Sequence, residues 1–461
     1  MSKILFAVFP ALTASRAFWL SVVTLALPVA LQMLLQSLLG MADVLMVGQL
    51  GSSAIAAVGL AAKLHFLLLV LMAGFGAGCS VLVAQYSGAK DHAACQRVVA
   101  LGLIVGVAVM IPFVVLFALL SPYWVPLINP DPEVSAMAAS YLQITALVLL
   151  FTQCVVIFES GLRSIGNTAV PLLMGGLAVA INVLLNYLLI FGHWGFPALG
   201  IEGAAWATLI SRFLQLLGFI VWLYAKRHPF ALGRKAFALA LNKKEFRRFV
   251  SFSSPVVMNH VVWGVGNAAY HVLTGYAGTE ALAVMGVIVP IEGLFFSLFV
   301  GLSNASTIMV GRSLGASEQD RAWFIYKFFD QLTLAMALGF SLALFLSRSW
   351  VVGIFGELDE QTVLLLNDTL ALFCLLIWVK VLNMVRILGV LRAGGDNKFC
   401  LAMDSIVMWL IGIPIFSAAV FWGGVPFLFI YFATFIEDIT KFTPVRLRIG
   451  KRIWMKNLTV Y

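Results

Sequence analysis

Long apolar runs, interrupted at short intervals by small clusters of polar and basic residues, are the dominant pattern of this chain. A helix needs about 20 apolar residues to cross a bilayer. Twelve such stretches are predicted, at about 17–46, 54–84, 96–120, 134–158, 169–192, 203–225, 246–273, 281–311, 323–347, 361–389, 399–421 and 425–445. In the first of them, "LLGMADVLMVGQLG" (residues 38–51) places Asp43 where no other charge occurs between Arg16 and Lys63. A carboxylate at bilayer depth costs a few kcal/mol even on lenient insertion scales, so its presence demands a reason.

Composition fits the pattern. Of 461 residues, 62% are hydrophobic and 11% charged, where a soluble domain carries about 25% charged residues. The opening "MSKILFAVFPALTASR" has its apolar run cut by Pro10 and lacks a clean cleavage site, so the N-terminus is expected to be retained. Cys79, Cys95, Cys154, Cys374 and Cys400 are scattered singly and read as small core residues. No metal-ligand spacing, Walker loop or nucleophile elbow appears, which argues against an enzyme or an ATP-driven pump and predicts no cofactor.

Basic residues set the orientation. Lys90 and Arg97, Arg163, the stretch "AKRHPFALGRKAFALALNKKEFRR", Arg312 and Arg321, Arg392 and Lys398, and the tail "RLRIGKRIWMK" all fall on alternate connections. The intervening connections, such as "SPYWVPLINPDPEV" and "GIFGELDEQT", are acidic or neutral, with Arg348 the exception. Lys and Arg concentrate on the cytoplasmic side, so both termini are expected there, in a cell (inner or plasma) membrane. The net charge of +9 then belongs to loops facing an anionic leaflet, and no nucleic-acid partner is implied.

The chain also repeats itself. At an offset of 227 residues, "LPVALQMLLQSLLGMADVLMVGQLGSSAIAAVG" lies over "SPVVMNHVVWGVGNAAYHVLTGYAGTEALAVMG", matching Pro28 with Pro255, Gly51 with Gly278 and Asp43 with Tyr270. At 229, "GLRSIGN" around Arg163 lies over "VLRAGGD" around Arg392. Each half holds an even number of spans, so the two run in the same direction through the membrane. The expected organisation is an N-terminal six-helix lobe (1–225), a basic linker (226–245) and a C-terminal six-helix lobe with a basic tail (246–461). The fold class is therefore an all-α membrane protein of about 12 helices in two pseudo-symmetric lobes.

Gln32, Gln36 and Asp43 fall within about 40° of one another at 100° per residue, which gives the first span one polar face. Asn182 and Asn186, four apart, share a face of the fifth. An acid with two amides and a hydroxyl offers oxygen ligands to a cation and a carboxylate that trades a proton. The competing reading is a carboxylate held by the asparagines simply to tie three helices together.

"MADVLMVGQLG", "LRSIGNTAVPLL", "LRAGGDNKF" and "NVLLNYLLIFGHWGFPALGIEGAAWAT", in this order within a duplicated chain, resemble the multidrug and toxic compound extrusion (MATE) transporters. The resemblance covers nearly the whole chain. It implies a monomeric, two-lobed secondary antiporter with a central cleft, exporting small organic compounds, often cationic and aromatic, in exchange for H+ or Na+. It assigns coupling to Asp43, Asn182, Asn186 and Thr208, and the polar face of the first span adds Gln36. No metal is implied beyond a Na+ at that site. Two departures leave the coupling ion open. The seventh span has no acid, and the tenth carries Lys380 and Arg386 where one branch of the family has an acid; Asn186 stands where another branch has aspartate.

The alternative is a lipid or lipid-linked sugar flippase of the same wider superfamily, which Lys63, Lys380 and Arg386 would suit as headgroup-binding cations. Charges at depth seek partners, so Glu292 is expected to pair with Lys380, leaving Arg386 to snorkel or to meet an anionic substrate group. Glu159, Glu437 and Asp438 are expected as interfacial partners of Arg163, Lys441 or Arg446. Tyr187, Trp206, Trp263 and Tyr270 are the candidate cleft aromatics, with Phe295, Phe296 and Trp378 as further ones.

Overall fold

The computed structural model describes residues 14–353, 359–422 and 424–460. The first 13 residues and most of the acidic connection around Glu357 lie outside the described residues. The remainder is helical, with twelve long elements: α1 Arg16–Gly48, α2 Ser52–Gly88, α3 His92–Ile128, α4 Pro132–Thr145 continued as Val148–Ser164, α5 Ala169–Phe191 and α6 Ile201–Ala225 in the first half. In the second half they are α7 Lys243–Thr274, α8 Thr279–Gly315, α9 Gln319–Gly353, α10 Glu360–Leu391, α11 Asn397–Phe421 and α12 Phe427–Gly450. A short helix, Arg234–Ala240, lies in the basic connection between the halves.

Among the described residues nine of these are apolar enough to cross a bilayer singly, and the two segments of α4, bent by 49°, make a tenth. The other two, α7 and α12, are less apolar: α7 carries Asn259, His260, Asn267 and His271 along its length, and α12 includes Glu437, Asp438, Lys441, Arg446 and Arg448. Large apolar side chains on the outside, such as Leu45 (69% exposed) and Leu346 (74%), on helices long and apolar enough to cross a bilayer, suit a surface against lipid.

Local chemistry sets the boundaries. Asp91 caps α3 by accepting from Ala94 N at 2.9 Å, and Asp359 caps α10 by accepting from Thr362 N at 3.0 Å. Gly51 and Gly278, matched at the 227-residue offset, take φ of 111° and 108° ahead of α2 and α8, a backbone region that side-chain-bearing residues avoid. The repeat seen in the sequence is thus repeated in the backbone.

The chain divides into two compact units, whose limits fall inside helices rather than in the basic connection. One runs Leu31–Val257; the other comprises the chain up to Ala30 together with Met258–Tyr461. Each change of unit comes just after the helix proline, Pro28 in α1 and Pro255 in α7. These prolines lack a donor and loosen the helix at that turn.

In the unit that holds most of the second half, Val22, Leu25 and Ala26 of α1 join a core with Phe299, Phe328, Phe373 and Trp454. Phe18 lies edge-on to Phe328 with ring centres 4.8 Å apart, and α8 approaches so closely that a side chain at Gly301 would meet the Ala26 carbonyl at 2.5 Å. In Leu31–Val257 the core is built from α2, α3 and α4, around Leu68, Met72, Met110, Phe117 and Leu142.

Two helices contain wide π turns, Val385–Leu391 in α10 and Met408–Gly412 in α11. A π turn frees carbonyls, and those of α10 are taken up by α8: Thr307 Oγ1 donates to Leu388 O at 3.0 Å and Ser306 Oγ to Gly389 O at 3.2 Å.

Candidate functional site

Within Leu31–Val257, α1, α5 and α6 bring polar side chains to one place. Asn186 Nδ2 donates to Asp43 Oδ1 at 2.5 Å and to Asn182 Oδ1 at 3.1 Å. Asn182 Nδ2 donates in turn to Thr208 Oγ1 at 3.4 Å and Ser211 Oγ at 3.3 Å. Asn186 Oδ1 is buried without a hydrogen-bond partner, an acceptor left open beside the acid.

Gln36, Asp43, Asn182, Thr208, Ser211 and Arg212 are among the residues that line a cavity of about 90 Å³ here. That volume holds a few waters or a small cation but is well below the roughly 300 Å³ at which drug-sized pockets begin. The five residues singled out for coupling from the sequence are therefore brought together, four of them lining a space of ionic rather than molecular size and Asn186 hydrogen-bonded to two of those.

A second polar thread runs from the same helix. Glu159 of α4 is 5% exposed and accepts from Gln32 Nε2 at 2.8 Å and Gln215 Nε2 at 3.4 Å, while Arg163 lies 3.6 Å from it and donates to Gln32 Oε1 at 3.2 Å. Glu159 partners Arg163 but is a buried member of a network, not a surface residue. Arg212, Ser211 and Gln215 had no place in the reading of the sequence. Their signal was available: a charge and two polar residues inside an apolar span, with Arg212 and Gln215 one turn apart and hydrogen-bonded at 2.8 Å.

The other unit handles charge differently. Lys380 Nζ donates to Glu292 Oε1 at 2.6 Å, joining α10 to α8, and lies 5.1 Å from the Phe296 ring centre. Arg386 neither snorkels nor waits for an anionic group. It pairs with Asp330 of α9 through two parallel bonds, Nε to Oδ1 at 2.6 Å and Nη2 to Oδ2 at 3.1 Å, and is 4% exposed. Glu437 and Asp438 are not interfacial either. Lys441 is buried between Asp404 Oδ1, at 2.8 Å, and Glu437 Oε1. Asp404 also accepts from Asn259 of α7 at 2.7 Å, Asn259 accepts from Arg392, and Asp438 accepts from Asn383 at 3.3 Å. The acids absent from residues 246–273 thus reach the polar residues of α7 from α11 and α12.

Of the candidate aromatics, Tyr270 packs edge-on to Phe416 and directs its hydroxyl at Glu437 Oε2, 3.5 Å away. Tyr187 stacks on His193 at 4.2 Å; Tyr187, Trp206 and Trp263 are all about two-fifths exposed, and none lines the Asp43 cavity.

Removing one partner of the Glu292–Lys380 pair is expected to cost about 1–3 kcal/mol, between the values for surface and buried pairs, because the side chains keep 17% and 29% exposure. A double-mutant cycle of Glu292→Ala and Lys380→Ala, read by thermal unfolding in detergent, should show the double variant recovering part of the loss. Strict additivity would make the two residues independent.

A family model, MatE, matches the chain twice, over residues 28–188 and 255–416, so each match opens at one of the two helix prolines. The chain is 27% identical over 403 residues to a protein of Thermotoga maritima named probable multidrug resistance protein NorM, covering 85% of this chain and 84% of that one. It is 25% identical over 399 residues to YoeA of Bacillus subtilis, also named a probable multidrug resistance protein, covering 86% of each. A solved structure described as the outward-facing conformation of a multidrug resistance MATE family transporter of the MOP superfamily aligns with a TM-score of 0.83 over 94% of this chain and 96% of that one, at 19% identity. At that identity the likeness bears on the fold, twelve helices in two lobes. With both repeats matched across most of the membrane helices, the chain belongs to the MATE family of efflux transporters.

Proposed function

We propose that this protein is a secondary antiporter of the cell membrane, with both termini cytoplasmic, that exports organic, often cationic and aromatic, compounds against an inward flow of H+ or Na+ coupled at Asp43. The observation that carries this reading is the arrangement of Asp43, Asn182 and Thr208 around a cavity of about 90 Å³, with Asn186 joining Asp43 to Asn182, a space too small for a drug and suited to an ion or a proton. Relatives named as probable multidrug resistance proteins support export as the direction. Coupling is assigned to the first half alone, because the residue matched to Asp43 is Tyr270, whose phenol does not exchange a proton near neutral pH. The flippase alternative loses its main support, since Lys380 and Arg386 are each neutralised by an acid of the same unit.

Reconstitution into vesicles with a fluorescent organic cation tests the proposal. A pH gradient and a Na+ gradient are imposed separately, and one of them should drive accumulation of the dye. Dye movement indifferent to both gradients would reject antiport.

A further inference from the structure

Arg212 sits near the middle of α6, at a depth where a guanidinium needs a partner. It lines the Asp43 cavity, its hydrogen bond goes to Gln215 Oε1 at 2.8 Å, and among the described residues no carboxylate forms an ion pair with it within 4.0 Å. Asp43 of α1 lines the same cavity, and Gln215, the partner of Arg212, also donates to Glu159 of α4 at 3.4 Å. Glu159 is already engaged by Arg163, Gln32 and Gln215. Asp43 is held by Asn186 at 2.5 Å. Arg212 is thus a cation that rests on an amide and shares a cavity wall with the Asp43 carboxylate.

The second repeat supplies the contrast. At the 229-residue offset that pairs Arg163 with Arg392, Arg212 falls on Lys441. There the cation is clamped by Asp404 at 2.8 Å and by Glu437. The same position in the two repeats therefore holds a resident cation, fixed by two acids in one and resting on an amide in the other.

We infer that Arg212 is the internal counter-cation of the Asp43 site: it engages Asp43 while that carboxylate is ionised and rests on Gln215 once Asp43 takes up a proton, which makes the site selective for H+ over Na+. This rests on the reading of Asp43 as the coupling residue. The selectivity follows from donor and acceptor counts. A guanidinium is all donor, so each oxygen it engages is withdrawn from a metal ion, and it supplies none in return. A sodium ion needs a shell of oxygens in that cavity, whereas a proton needs one lone pair of Asp43. The proton adds to a carboxylate oxygen to give the neutral acid and leaves as a proton on the other side; Arg212 stays charged throughout.

The test uses the full-length protein in vesicles, with transport of a fluorescent organic cation driven by a pH gradient at fixed ionic strength, the salt being sodium or choline chloride. Wild type and Arg212→Lys should give the same rate in both salts. Arg212→Gln should lose about tenfold in pH-driven rate, the effect of one charge-assisted hydrogen bond in the cycle, and should become sensitive to Na+. In a parallel measurement that needs no transport, Na+ should raise the melting temperature of Arg212→Gln and leave wild type unmoved; Asp43→Asn in the Arg212→Gln background should remove that response. Na+-driven uptake by wild type, or an Arg212→Gln protein as Na+-indifferent and as active as wild type, overturns the inference. If Arg212→Gln does not accumulate, the wild-type comparison of the two salts decides alone. Gradient-driven transport by the single Asp43→Asn variant would instead strike down the coupling assignment, so the two failures are distinguishable.

Discussion

Replacement of Asp43 by Asn is expected to leave the protein folded and to abolish gradient-driven export. Asparagine has the same shape, and its carbonyl accepts from Asn186 as the carboxylate does at 2.5 Å, so the junction of α1 with α5 keeps its hydrogen bond. What disappears is the group that exchanges a proton or charge-balances a cation. A positioned proton-transfer group is worth roughly 10²–10⁴-fold in rate, so uptake driven by an imposed gradient should fall by about two orders of magnitude or more. Binding of the dye, measured without a gradient, and the melting temperature should both stay near wild type. Wild-type uptake by the variant would return Asp43 to the role of a tie between helices.

Lys441→Ala is expected to do the reverse, with its damage appearing in stability. The ammonium is 5% exposed and stands between Asp404 and Glu437, themselves 6% and 7% exposed. Truncation leaves two buried carboxylates with no ammonium between them, and breaking a buried pair from one side costs about 3–5 kcal/mol. The donation from Asn259 to Asp404 survives, so the loss should fall short of complete unfolding. Thermal unfolding in detergent should show a large drop, and adding Glu437→Gln should return part of it. An unchanged melting temperature would mean that the lysine leaves its acids without consequence for the fold.

These residues illustrate what the sequence discloses and what it hides. Periodicity alone places Gln36 and Asp43 on one face of α1 and Asn182 with Asn186 on one face of α5, and the duplication aligns Gly51 with Gly278 down to their φ angles. The pairing of Lys441 with Glu437 is also legible, since the two are one turn apart. Asp404 is not: it reaches Lys441 from α11, and nothing in one chain's hydropathy reports distance between helices. Asp330 meets Arg386 in the same hidden way, across 56 residues.

Arg212 is submerged by its neighbours, because a single charge in "LISRFLQLLGFIVWL" scarcely alters the average apolarity of the span. The bend in α4 leaves no proline or glycine as a marker. The Thr145 hydroxyl donates back to Tyr141 O at 2.8 Å beside the break, a contact known to bend helices, but the same residue type sits harmlessly in others.

The unit boundaries just after Pro28 and Pro255 have a consequence for inheritance and synthesis. A single repeat of this kind is not a self-sufficient fold. It carries most of one unit and the leading half-helix of the other, so by itself it lacks a segment of its own unit's core. The present chain joins the two repeats covalently, so each leading half-helix reaches its unit within one molecule. During translation, the leading part of α1 up to Ala30 is made early and finds its core only after α8 and α9 have been made, more than 250 residues later. Cutting the gene at the basic connection would therefore yield two fragments that must be made together, each bringing the other its missing half-helix.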